Sequence, residues 1–155
     1  MKRLFYLLAA AAFTACGSAT TLSVMTFNMR YDNPEDGADN WRFRRGRVAE
    51  VIASHGVDVF GTQELLANQL GDLKRLLPGY AAVGVGREDG AEAGEFSAVF
   101  YRRDRFTPLE SGTFWLSETP DVAGSKGWDG ACERVATWVV LHDLSLIHIS
   151  EPTRH

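Results

Sequence analysis

Apolar residues fall in two periods along the chain. "TLSVMTFNM" (residues 21–29) is apolar and β-branched and predicts a buried strand, and "VDVFGTQE" (residues 57–64) predicts a second. Between them "RYDNPEDGADN" carries Asn-Pro and Asp-Gly and reads as a loop. "WRFRRGRVAEVIASHG" sets Val48, Val51, Ile52 and His55 at helical spacing, which predicts a helix with those residues on its apolar face. Asn40 is its expected N-cap and Gly56 its expected C-terminal stop. "LLANQLGDLKRLLPG" is a second helix with Leu66, Leu70, Leu73 and Leu77 along one side, ended by Pro78-Gly79. Four strand candidates then follow in a row: "YAAVGVG", "EFSAVFYRR", "FTPLESGTFWLS" and "ERVATWVVLHD". A β-α-β-α start followed by consecutive strands predicts an α/β fold, with a mixed sheet and two helices on one face.

Both early strands stop on a polar side chain, Asn28 in the first and Glu64 in the second. One helix joins them, so a right-handed crossover makes them parallel and points their ends the same way. Ligands collect at such carboxyl ends. If the strands are neighbours, a carboxylate and an amide oxygen meet there, a hard donor pair suited to Mg²⁺. Simpler roles are open at this point, since Asn28 is a good turn former and Glu64 can cap the helix that follows.

Composition narrows the class. The chain has 155 residues, 45% hydrophobic and 23% charged, enough for one domain with a core. A net charge of −4 lacks the footprint of a non-specific nucleic-acid binder. Residues 1–15 read as a signal peptide: Lys2 and Arg3 precede an apolar run shorter than the roughly 20 residues a membrane helix needs. Cys16 after "FTA" resembles the first mature residue of a bacterial lipoprotein, although Phe13 departs from the usual Leu. The expectation is an exported protein, membrane-anchored if Cys16 is acylated and otherwise periplasmic or extracellular. The second of the two cysteines, Cys132, is expected to be a small buried residue, with a Cys16–Cys132 disulfide as the other reading.

"MTFNMRYDNPEDG", "DVFGTQE", "GREDGAEAGEFSAVFYRRDRF", "SGTFWLSETPD" and "ERVATW" occur in this order across residues 22–142. The series resembles the endonuclease/exonuclease/phosphatase superfamily, and within it an exported bacterial branch. The resemblance implies half of a four-layer α/β sandwich over residues 22–143. It implies a phosphate-ester hydrolase dependent on Mg²⁺, with Mn²⁺ as a substitute, that works as a monomer. Its substrate would be a small molecule, a lipid head group or a nucleic acid. Asn28 and Glu64 match the family's metal-site Asn and Glu, and Arg134 falls where several members bring a strand residue to the phosphate, a solvated strand-edge arginine being the other reading. Tyr101 and Trp115 read as core. Asp32 and Asn33 line the cleft or simply form the turn beside Pro34. The "RFRRGR" cluster reads as a solvated face.

The family's further segments, N-T-H-x-x-H, D-x-N and S-D-H, do not occur in this chain, and His142, His148 and His155 stand in other contexts. "LSLIHISEPTRH" (residues 144–155) reads as a spurious tail. The expectation is therefore a phosphoesterase that is truncated and inactive as it stands. The alternative is an exported, non-catalytic binding module that retains the fold.

Overall fold

The structure is a computed structural model that describes residues 21–146. The signal peptide, Cys16, His148, His155 and most of the 144–155 segment lie outside these described residues. The elements run β1 (Val24–Asn28), α1 (Trp41–His55), β2 (Val59–Gln63), α2 (Ala67–Leu76), β3 (Tyr80–Val83), β4 (Val99–Arg102), β5 (Phe106–Trp115) and β6 (Val135–Asp143).

β1 and β2 pair in parallel, as the single-helix crossover requires, with Met25 opposite Phe60 and Asn28 opposite Gln63. β2 and β3 each pair antiparallel with β4, giving a four-stranded mixed sheet in the order β1-β2-β4-β3. β5 and β6 pair only with each other, in a separate two-stranded ribbon.

One row of the sheet faces both helices. Register places Met25, Phe60, Phe100 and Ala82 side by side across the four strands. Phe60 and Phe100 are fully buried and stack with ring centroids 4.5 Å apart, and Tyr80 meets Phe60 edge-on at 5.3 Å. Against them pack Trp41, Val48, Ala49 and Ile52 from α1 and Leu73 from α2. Truncating a side chain such as Phe60 to alanine in a core like this costs about 3–5 kcal/mol.

α1 starts where its cap dictates, because the Asn40 side chain accepts a hydrogen bond from the Arg42 amide at 3.2 Å. It ends at Gly56, whose φ of +55° a side chain would oppose. Its buried stripe differs from the expected one, since Val51 is half-buried and His55 is exposed, its Nδ1 lying 2.8 Å from the Val51 carbonyl oxygen. Trp41 and Ala49 complete the buried stripe instead. Tyr101 and Trp115 are buried as expected, and Cys132 is half-buried rather than fully so.

α2 buries two polar residues among its leucines, Gln69 and Asp72. Asp72 accepts hydrogen bonds from Trp41 Nε1 at 2.8 Å and Arg45 at 3.1 Å and also pairs with Arg75, fastening α2 to α1. Burial alone pushes its carboxyl up, but the bonds from Trp41 and Arg45 outweigh that and hold it below the usual carboxylate range. At the far end of the sheet Arg105 spans Asp58 at 2.6 Å and Asp143 at 2.8 Å, tying the ribbon to the start of β2. Hydrogen bonds from Arg105 and then Ser145 hold the Asp143 carboxyl far below its ordinary value.

A carboxylate whose folded pKa is depressed stabilises the fold above its unfolded pKa, about 4, and loses that contribution as pH falls through the folded value. The urea midpoint is therefore expected to fall steeply below about pH 4. In Asp72→Asn it should be lower at neutral pH and fall less on acidification. A variant curve parallel to the wild-type curve would contradict the role given to Asp72.

Candidate active site

The carboxyl ends of β1 and β2 do meet. Asn28 Nδ2 donates to Glu64 Oε1 at 3.0 Å, and Asn28 Oδ1 accepts from the Arg30 amide at 2.8 Å. The Asn28 amide is thus fixed from both sides, while its carbonyl oxygen keeps a second lone pair. The Glu64 side chain does not cap α2. That helix begins at Ala67, and the Leu66 amide donates to Gln69 Oε1 at 2.9 Å.

Both chains leave their strands through left-handed residues, Arg30 at φ +53° and Glu64 at φ +56°. Neither is glycine, and a residue held there costs on the order of 1–3 kcal/mol, sustained only where the surroundings over-determine it. The surroundings here centre on Gln69, fully buried on α2. Its Nε2 donates to the Arg30 carbonyl at 2.9 Å, and its Oε1 also accepts from the Asp32 amide at 3.2 Å. One amide side chain therefore holds the loop after β1 and the loop after β2.

Arg44 adds a second clamp, donating to the Met29 and Arg30 carbonyls at 2.5 Å each. Arg45 pairs with Asp72. The "RFRRGR" cluster is thus only partly a solvated face: Arg42 and Arg47 are exposed, while Arg44 and Arg45 hold structure. Asp32 and Asn33 also serve the loop. Asp32 accepts from Asn40 and Asn68, and Asn33 accepts from the Glu35 amide.

Above the strand ends lies a cavity of about 240 Å³ lined by Asn28, Gln63, Glu64, Arg87, Glu95, Ser97, Arg134 and Val135. All three residues singled out from the sequence border it, Arg134 arriving just before β6. Arg134 makes no ion pair among the described residues, which leaves its guanidinium available to an anion. Arg87, Glu95 and Ser97 were not singled out. They enter because the "REDGAEAG" loop folds back on itself: Phe96 bridges both Gly86 and Leu65, and Asp89 Oδ1 accepts from the Ala91 and Ala93 amides. Gly86 permits this close return, because a Cβ there would collide with the Ala93 backbone. The fold-back sets Arg87 Nη1 2.6 Å from Glu95 Oε2. An Arg and a Glu flanking a glycine-rich loop between two strand candidates was the available signal.

Among the described residues no three His, Cys, Asp or Glu side chains cluster as a metal site. The donor set nonetheless fits Mg²⁺, which keeps several waters and takes one or two protein oxygens together with substrate phosphate. Glu64 would hold it, with the free lone pair of Asn28 Oδ1 beside it.

The model of the endonuclease/exonuclease/phosphatase family matches residues 25–155, and the chain belongs to that family. It is similar to an endonuclease/exonuclease/phosphatase from Bacteroides vulgatus, at 48% identity and TM-score 0.80, covering 81% of this chain and 48% of that one. It is also similar to a mannosyl-6-phosphatase from Bacteroides thetaiotaomicron VPI-5482, at 46% identity and TM-score 0.79, covering 81% and 48%. A functionally unknown conserved protein from Enterococcus faecalis V583 aligns at 31% identity and TM-score 0.74, covering 80% and 48%. The chain spans about half the length of these structures. None of the curated proteins matches it.

Replacing Gln69 with leucine would strip partners from the Arg30 carbonyl and from the Asp32 and Leu66 amides. Gln69→Leu is expected to cost about 1–3 kcal/mol in urea unfolding. It should also weaken Mn²⁺ binding at Glu64, measured by water-proton relaxation. Unchanged Mn²⁺ affinity in a folded variant would show that Gln69 does not position the site.

Proposed function

We propose that this chain is the Glu64-bearing half of a Mg²⁺-dependent phosphoesterase acting on a small phosphorylated molecule. The convergence of Asn28, Glu64 and Arg134 on one cavity carries the reading. Membership of the family supports the reaction class. Similarity to a mannosyl-6-phosphatase supports a small substrate, as do the modest cavity and the net charge of −4.

In this reading Glu64 would hold the divalent cation, which would supply a Lewis acid for the negative charge on the phosphoryl oxygens. Asn28 fixes the carboxylate by donating to Oε1, which leaves its second oxygen as the atom that would hold the ion. Arg134 offers a fork of N–H donors to a phosphate oxygen. Orienting the attacking water and hydrogen-bonding the phosphate fall to residues of the family's N-T-H-x-x-H, D-x-N and S-D-H segments, which this sequence lacks. A second β-layer is in keeping with the apolar side chains now exposed on the sheet edge and ribbon, among them Val24, Phe114, Trp138 and Val140.

The reading is tested by continuing the chain after Asp143 with the second half of the Bacteroides vulgatus relative. Mg²⁺-dependent release of phosphate is expected from the joined protein and not from the 155-residue chain. In the joined protein Glu64→Gln keeps the side-chain shape but removes the charge. It is expected to slow turnover by about two to four orders of magnitude, roughly 3–5 kcal/mol, with Asn28→Ala milder. Near wild-type hydrolysis by the Glu64→Gln protein would refute the assignment.

A further inference from the structure

The Arg87–Glu95 pair borders the same cavity as Glu64 but is not used in that reading. Its side chains are only 16% and 23% exposed, so it is a largely desolvated pair. An ion pair placed there purely for strength is a poor investment, since desolvation consumes most of its Coulomb energy. The guanidinium is also incompletely satisfied. Nη1 donates to Glu95, whereas Nε is buried with no partner among the described residues. Nε and Nη2 form the edge with which arginine grips an oxyanion side-on. A buried donor without an acceptor costs about 1–3 kcal/mol, a cost that an anion in the cavity removes once the guanidinium edge turns onto it.

Both flanks of Arg87 are held. Its carbonyl accepts from Trp115 Nε1 at 2.6 Å, and its amide donates to the Glu95 carbonyl at 3.2 Å. Charge then selects the anion. The cavity's charged side chains, Glu64, Glu95, Arg87 and Arg134, cancel one another. A divalent cation on Glu64 leaves two positive charges. A terminal phosphate monoester carries about −1.5 to −2 at neutral pH, whereas a diester carries a single charge. The monoester is the better match.

Resting on the phosphoesterase reading, we propose that Arg87 is a substrate-binding residue that grips the non-bridging phosphate oxygens. Glu95 holds its guanidinium at the cavity, so the site takes a dianionic terminal phosphate in preference to a diester. Glu95 therefore serves as a positioning residue that also opposes the anion. This gives the pair a signature that a structural salt bridge lacks. Removing the charge of Glu95 should strengthen anion binding while removing the fork of Arg87 weakens it.

The test titrates inorganic phosphate into the full 155-residue chain with saturating Mg²⁺ and follows the arginine Nε–Hε resonances by NMR, the Arg87 signal being assigned by its loss in Arg87→Lys. The Arg87 signal is expected to move on phosphate addition. Arg87→Lys should weaken phosphate by about tenfold through loss of the bidentate contact, Arg87→Ala by at least as much, and Glu95→Gln should bind it more tightly than wild type. Dimethyl phosphate should bind at least tenfold more weakly than inorganic phosphate. Urea unfolding of each variant separates loss of binding from loss of fold, and Arg103→Ala, whose guanidinium bonds the Tyr80 carbonyl away from the cavity, should bind like wild type. The proposal is overturned if wild type binds no phosphate, if the Arg87 signal stays still, or if the Arg87 and Glu95 variants weaken binding alike. Mn²⁺ binding, read by water-proton relaxation on the same samples, keeps the two readings apart. Its absence from wild type would remove the metal assignment of Glu64, whereas Mn²⁺ bound normally beside phosphate affinity indifferent to Arg87 would remove this inference alone.

Discussion

The loops that leave β1 and β2 turn through left-handed residues, and the buried Gln69 amide hydrogen-bonds both loops at once. Parallel pairing alone would bring the two strand ends to the same edge without fixing the side chains beyond them. Gln69 turns proximity into geometry: the Arg30 carbonyl, the Asp32 amide and the Leu66 amide share it as a partner, so moving either loop breaks a part-buried hydrogen bond. The Asn28–Glu64 hydrogen bond rests on that arrangement.

Around this point the fold divides its work. The aromatic contacts of Phe60 with Phe100 and Tyr80 lie in the core that joins the sheet to its helices. Asp72 and Arg105 are polar fasteners, one between the helices and one between the sheet and the ribbon. The cavity sits at the opposite end from Arg105, where β1, β2, the 86–96 loop and the start of β6 each contribute one wall. Its charged side chains come in opposing pairs, so a cation bound there would tip the balance toward anions.

Much of this was legible in the chain. Two apolar runs joined by one capped helix predict parallel strands, so Asn28 and Glu64 belong at a common edge if the strands are neighbours, and β1 and β2 are. Arg134 was reached by resemblance, and the cavity includes it. Other features depend on tertiary contacts that periodicity does not encode. Gln69 looks like an ordinary polar residue in a leucine-rich helix until its two partners in the loop after β1, the Arg30 carbonyl and the Asp32 amide, are known. His55 matches the helical spacing of the core yet lies in the last turn, beyond the sheet, where solvent claims it. Arg87 and Glu95 are separated by a glycine-rich loop, and only its sharp return makes them neighbours.

In the proposed function Glu64, oriented by Asn28, holds the divalent cation. The most direct test of that role is a paramagnetic map: Mn²⁺ added to isotope-labelled chain, with broadening of each backbone amide followed by NMR. The amides of Met29, Glu64, Ser97 and Val135 should broaden first, those around Arg105 and Asp143 should stay sharp, and Glu64→Gln should abolish the pattern. Broadening centred on the Asp36 and Asp39 loop, or persisting unchanged in Glu64→Gln, would contradict it.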